Sequence, residues 1–169
     1  VFTITSGATL NSGSESDFVS LLAHENNNQI SISNQNLTVD SGTIGASTAN
    51  QLAATTSGTV TASIDTSATL EGLKTLTGTN AYTIVVNSGD ASASAADLNA
   101  IDGATSIAID ASAVTEITGS YSDVVALFGS TGVSELGNES IVINEVLTVD
   151  KANIIDALTT GIVTASISS

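Results

Sequence analysis

Short sequence blocks recur along this chain at a nearly constant spacing. Residues 39–42 (Val-Asp-Ser-Gly) reappear as residues 86–89 (Val-Asn-Ser-Gly), which is 86 − 39 = 47 positions later, and the same offset relates Val60 to Ile107. A looser third copy begins near Leu147. Repetition at such a period is typical of solenoids and repeat arrays, in which function resides in an extended surface more than in a pocket.

Within each block, short β-branched runs alternate with short helix-like segments. Strands are predicted where Val, Ile and Thr cluster, at residues 2–5, 30–33, 37–39, 59–64, 83–86, 106–109, 141–143, 147–149 and 162–167. Helices are predicted where a Ser or Asp precedes helical apolar spacing and a Gly often follows, at residues 16–23, 47–54, 70–76, 94–101, 122–128 and 151–158.

The strand, helix, strand order predicts an α/β fold with parallel strands. The strand starts near residues 37, 59, 83 and 106 lie 22 to 24 positions apart, so one 47-residue block corresponds to two units. Because parallel strands are joined by right-handed crossovers, we expect a right-handed solenoid of about 22–24-residue coils. A parallel sheet would form one face and short helices the other. The alternative is an all-β helix in which the helical segments are loops.

No linker divides the chain, which contains no proline. We therefore expect residues 1–169 to form a single solenoid domain. Residues 164–169 end the chain on a repeat strand without a polar cap, so the domain is expected to be part of, or assembled into, something longer. The expected partner is the chain itself, by head-to-tail or lateral self-assembly.

The chain is strongly acidic, with 17 Asp and Glu residues against two lysines and a formal net charge of −15. Such a surface repels nucleic acid and anionic membranes, so binding to either is not expected. Because no apolar run is long enough to span a bilayer, membrane insertion is not expected either. High ionic strength and divalent cations make so acidic a chain tolerable, because they screen or neutralise carboxylates.

Calcium is the one ligand with support in the sequence. Asp65 and Asp110 follow equivalent predicted strands, and Asp40, Asn87 and Asp150 occupy a second equivalent position. Stacked coils would align their oxygens in a ladder, and calcium binds six to eight oxygens. Turn formation and helix capping by Asp and Asn explain the same pattern, so no residue is assigned to a metal site.

Catalytic signatures are missing from the sequence. His24 is the only histidine, no Gly-x-Ser-x-Gly elbow accompanies it, and the chain has neither cysteine nor tryptophan. We therefore expect no enzymatic activity, no catalytic or cofactor-binding residues, and no thiol chemistry.

Residues 94–119 carry the clearest repeat, SAADLNAIDGATSIAIDASAVTEITG. This segment resembles the repeats of very large, acidic cell-surface proteins of marine cyanobacteria and related bacteria. The resemblance implies an exported protein that lines the cell surface or forms appendages, with a role in adhesion or motility in calcium-rich water. It implies a location and a role, not a reaction.

The leading hypothesis is a structural or adhesive component of a secreted surface protein or extracellular filament, extracellular or at the cell surface. It would act by stacking of repeats and self-association. The alternative is a carbohydrate- or receptor-binding module, such as a segment of a phage fibre, with surface polysaccharide as a candidate partner. That module would use the predicted loops at residues 11–17 and 25–29, near Phe18.

Overall fold

The computed structural model of the chain describes residues 2–4 and 7–168, which form a mixed α/β structure with parallel sheets and six α-helices. The helices are α1 (Glu15–Asn26), α2 (Ala46–Thr55), α3 (Leu70–Leu73), α4 (Ala95–Asp102), α5 (Tyr121–Gly129) and α6 (Val149–Asp156). The strands are β1 (Phe2–Thr3), β2 (Thr9–Ser12), β3 (Ile30–Ser31), β4 (Asn36–Val39), β5 (Val60–Ser63), β6 (Ala81–Thr83), β7 (Ser92–Ser94), β8 (Ile109–Asp110), β9 (Glu116–Gly119), β10 (Val133–Ser134), β11 (Ser140–Leu147) and β12 (Val163–Ile167).

All six predicted helices are confirmed, and their starts follow from local chemistry. Four of the helices are preceded by a Ser or Thr whose side-chain oxygen accepts a hydrogen bond from the backbone N–H three residues later. These capping residues are Thr69, Ser94, Ser120 and Thr148. Such caps satisfy one of the backbone donors that a helix leaves free at its first turn. The alternative in which these segments are loops of an all-β helix is therefore wrong.

The strands pair in parallel and largely in chain order. One four-stranded sheet has the order β2-β4-β5-β6 and a second has the order β12-β11-β9-β7, while β1 pairs with β3 and β8 with β10. Within these ladders Leu37 pairs with Val60, and Ile117 pairs with Ile141. Each strand therefore contacts the strand that lies one unit earlier or later along the chain.

Several strand predictions need correction. Strands β2, β7, β9 and β10 were not expected, because Ser, Ala, Gly and Glu give them little intrinsic strand preference; pairing with neighbouring strands stabilises them instead. Residues 147–149, predicted as a strand, hold the last residue of β11, the cap of α6 and its first residue. Of the predicted strand 2–5, Thr5 lies outside the described residues.

The core runs between the strands and the helices and is built from aliphatic side chains. Leu37, Val60, Ile117 and Ile141 are fully buried, as is the ring of Tyr82. Fully burying one such side chain contributes about 1.5–3 kcal/mol, so these short elements are stabilised by their packing on each other.

The exact 47-residue offset is not kept in three dimensions. Val60 is fully buried, whereas Ile107, its predicted equivalent, is 37% exposed. The buried pair Ala49 and Leu52 of α2 instead matches Ala95 and Leu98 of α4. Turns of different length between the elements change the spacing, so the exact sequence offset does not predict which residues are buried.

Candidate functional surface

A hydroxyl turn joins neighbouring units after helix α2. Thr56 Oγ1 donates to the Gln35 carbonyl oxygen at 2.6 Å and accepts from the Gly58 N–H at 2.9 Å. Ser57 N also donates to the Ser33 carbonyl oxygen at 2.8 Å. One buried side chain thus shapes its own turn and binds the preceding unit.

The same turn recurs after helix α6. Thr159 Oγ1 donates to the Glu139 carbonyl oxygen at 2.6 Å and accepts from Gly161 N at 2.9 Å. After α5, the hydroxyl of Ser130 accepts from Gly132 N at 2.9 Å but donates to a carboxylate, that of Asp102. This Ser/Thr-x-Gly arrangement is a stacking contact that sequence analysis missed, although the tripeptide after each of these helices could have revealed it.

Two glycines in these turns are required by close backbone approach. A Cβ on Gly58 would lie 2.5 Å from the Gln35 carbonyl carbon, and a Cβ on Gly161 would lie 2.5 Å from the Glu139 carbonyl carbon. Real Cβ atoms do not approach other atoms under 3.0 Å. Sequence spacing predicts only that a glycine often follows a helix, whereas the structure shows that Gly58 and Gly161 are required because another backbone segment lies against them.

Asp65 and Asp110, the first pair of candidate calcium ligands, occupy equivalent turns. Asp65 Oδ1 accepts from Ser67 N at 2.8 Å, and Asp110 Oδ1 accepts from Ser112 N at 2.9 Å. These backbone hydrogen bonds stabilise the ionised carboxylates and lower the pKa of both side chains below 3.8. Turn formation therefore accounts for both residues.

The second set of candidate ligands does not share one environment. Asn87 Oδ1 accepts from Gly89 N at 2.7 Å and its amide donates to the Thr66 carbonyl oxygen, whereas Asp150 lies in the first turn of α6 and Asp40 is exposed. Among the residues that the structure describes, no three His, Asp or Glu side chains are grouped so that they could hold a metal ion.

The two predicted binding loops differ in outcome. In residues 11–17, the first two residues end strand β2 and the last three begin α1, so most of this segment is regular structure. In residues 25–29, the first two residues end α1, and residues 27–29 form a turn and bend, as predicted. Phe18, the aromatic residue near them, is fully buried. His24 lies in the last turn of α1, where its Nδ1 is hydrogen-bonded to Gln29 Oε1.

The carboxyl-terminal end of the fold carries an open groove between α6 and β12. Its volume is about 370 Å³, and small apolar and polar side chains line it, namely Ala152, Asn153, Asp156, Val163, Ala165 and Ile167. Ile162, just before this last strand, is 74% exposed, and Ile167, its last residue, is 48% exposed. We call this surface the C-terminal face.

Comparison with known proteins found no significant similarity to a protein-family model, to a curated protein or to a solved structure. Within residues 2–4 and 7–168, no helix has both the length and the apolar character needed to cross a bilayer. A function for this chain must therefore be argued from its own contacts.

Proposed function

We propose that this chain is a structural or adhesive component of a secreted surface protein or extracellular filament, built as a right-handed solenoid whose repeats stack. The observation that carries the proposal is the series of parallel ladders in chain order, in which Val60 pairs with Leu37 and Ile141 with Ile117. In such an array each unit depends mainly on its neighbours, and the product is an extended side surface.

The hydroxyl turns support the stacking interpretation. Thr56 and Thr159 bind the preceding unit in the same way although they follow different helices, α2 and α6. A hydrogen bond between buried groups is favourable and geometrically specific, so its repetition keeps the spacing of units uniform.

Acidity supports a location in salt-rich surroundings. The two lysines are both engaged: Lys74 Nζ lies 2.6 Å from Glu71, and Lys151 Nζ lies 4.7 Å from the centre of the Tyr121 ring. With 17 Asp and Glu residues and a net charge of −15, the charged groups of the remaining surface are almost all anionic. Such a chain stays soluble by self-repulsion and comes together when ions screen that repulsion, which matches the extracellular role implied by the resemblance of residues 94–119.

An antibody raised against the folded chain tests the proposed location and role. Applied to intact source cells, it should label the cell surface or its appendages, and brief protease treatment of intact cells should remove the label. An antibody against a cytoplasmic protein serves as the control. Labelling that requires permeabilised cells would contradict the proposal.

A further inference from the structure

Gln35 and Glu139 occupy equivalent positions in two different units. The Gln35 carbonyl oxygen accepts a hydrogen bond from the hydroxyl of Thr56, in the following unit, at 2.6 Å. The Glu139 carbonyl oxygen accepts one from the hydroxyl of Thr159, again in the following unit, at 2.6 Å. Both side chains are buried, each with 1% exposure. The two positions differ in chemistry, because one carries an amide and the other a carboxyl group.

The hydrogen bonds of the two side chains differ accordingly. Gln35 Nε2 donates to the Ile4 carbonyl oxygen at 3.2 Å and to Asn34 Oδ1 at 2.6 Å. Glu139 Oε2 accepts from Gly137 N at 2.8 Å, whereas Glu139 Oε1 is buried and has no hydrogen-bond partner. Among the residues that the structure describes, no other buried side-chain nitrogen or oxygen is left in this condition.

No positive charge compensates for the buried carboxyl group. The two lysines are engaged elsewhere, Lys74 with Glu71 and Lys151 with the Tyr121 ring. Within residues 2–4 and 7–168, no salt bridge includes Glu139. A polar group that leaves water without a full set of partners destabilises the closed structure, and a carboxyl group does so more than an amide. Water that reached Glu139 would supply the missing hydrogen bonds.

The backbone just before Glu139 is strained. Glu135 has a φ of 65°, in the left-handed region that residues with a Cβ rarely adopt. Gly137 has a φ of 128°. Both residues lie in the connection between β10 and β11. Opening of this connection would relieve the strain at Glu135, which adds to the effect of the carboxyl group.

We propose that Glu139 makes the start of β11 a release point, at which the stack opens by local unfolding before the rest of the fold. Opening hydrates the carboxyl group and breaks the hydrogen bond from Ser140 N to the Thr115 carbonyl oxygen, which measures 3.0 Å. It also breaks the hydrogen bond from Ile141 N to the Ile162 carbonyl oxygen, at 2.8 Å. Regions whose closed contacts are poorly compensated are the ones that open locally in this way. The inference rests on the stacked architecture and not on the proposed location of the protein.

Native-state hydrogen exchange measured by NMR tests the release point, with wild type compared with Glu139→Gln. The reporting amides are those of Ser140, Ile141 and Thr160, which donate to carbonyl oxygens of neighbouring segments at 2.8–3.0 Å. An amide side chain of the same shape is easier to bury, so these three amides should exchange at least about tenfold more slowly in Glu139→Gln. The amide of Val86, in the middle of the chain, should keep its wild-type rate.

Two further variants serve as the control and the reverse test. Glu135→Gln makes the same charge change at an exposed side chain in the same connection and should leave all rates within about twofold of wild type. Gln35→Glu places a carboxyl group at the equivalent position and should speed exchange of the Asn36 and Leu37 amides by about tenfold. Circular dichroism checks that each variant folds. If either Glu139→Gln or Gln35→Glu does not fold, the other decides.

Three results would overturn the release point. The first is unchanged exchange in Glu139→Gln, and the second is an equal change in Glu135→Gln. The third is slower exchange that extends equally to Val86, because Glu139 would then affect the stability of the whole fold and not a local opening. Each of these results leaves the proposed surface location standing, since antibody labelling tests it separately.

Discussion

Replacing Gly58 with alanine should strongly destabilise the protein. The new Cβ would lie 2.5 Å from the carbonyl carbon of Gln35 and 2.9 Å from Asn36 N, where ordinary contacts are 3.4–4 Å. Both neighbours are backbone atoms, so no side-chain rotation can relieve the collision. The units on either side must move apart at this point.

The expected loss of folding free energy in Gly58→Ala is the sum of two contributions. Separation of the units weakens two hydrogen bonds, from Thr56 Oγ1 to Gln35 O at 2.6 Å and from Ser57 N to Ser33 O at 2.8 Å, each contributing about 1 kcal/mol. Overpacking of a close contact adds about 1–3 kcal/mol. The free energy of unfolding should therefore fall by about 3–5 kcal/mol, a large part of the roughly 5–15 kcal/mol that stabilises a typical domain.

Urea unfolding followed by circular dichroism measures this change. Gly129→Ala is the control, because Gly129 is the last residue of α5 and a Cβ there meets no atom within 4 Å. It should leave stability unchanged or raise it by up to about 1 kcal/mol, since alanine is the better helix former. The close-approach argument is refuted if Gly58→Ala unfolds within about 0.5 kcal/mol of wild type, which is the usual range for neutral surface changes.

Three further predictions concern the core, the hydroxyl turns and divalent ions. Burial raises the pKa of Tyr82 to about 12, so the folded state holds the phenol proton more tightly than the unfolded state does. The free energy of unfolding of wild type should therefore fall by about 1.4 kcal/mol per pH unit between about pH 10 and 12. Tyr82→Phe should not show this fall. Absorbance titration of a folded chain in which Tyr82 ionises near pH 10 would contradict this. Thr56→Val removes the donor to Gln35 O and the acceptor for Gly58 N, and it should lower the free energy of unfolding in urea by about 1–3 kcal/mol. Thr56→Ser keeps the hydroxyl and should retain most of this free energy. An equal loss in both variants would show that packing of the methyl group, not hydrogen bonding, is responsible. Calcium and magnesium at equal concentration should promote association equally, as measured by light scattering. The reason is that the described residues hold no group of carboxylate side chains that would select calcium. Association that responds to calcium alone would indicate a specific calcium site.

The helices could be predicted from sequence because their signals are local. Ser94 caps α4 through the N–H of Asp97, and Leu98 and Ile101 provide the buried face within the same eight residues. Every predicted helix therefore appears, and no end differs from the expected bounds by more than three residues. The parallel arrangement also followed, since alternating strands and short helices leave few other connections.

The remaining strands and the stacking contacts could not be predicted because their causes are non-local. Strand β7 is Ser-Ala-Ser, and it is extended because Ala93 pairs with Ile117 of a strand 24 residues later. The hydroxyl of Thr56 bridges to a distant part of the chain only because the Gln35 carbonyl oxygen lies 2.6 Å from it. The Ser/Thr-x-Gly tripeptide does not by itself show which carbonyl oxygen the hydroxyl reaches, and Thr105 makes the same pair of contacts, with the Tyr82 carbonyl oxygen and Ile107 N, without a following glycine.

A shortened chain of residues 1–130, which ends just after α5, tests the stacked architecture most directly. It lacks β10, β11, α6 and β12 and uncovers Ile117 and Leu127, which are fully buried in the complete chain. If each unit depends mainly on its neighbours, the shortened chain keeps its helical circular dichroism per residue and unfolds cooperatively at a lower urea concentration. A chain that is unfolded in the absence of urea would contradict the stacking account, because one shared core would then hold all the units together.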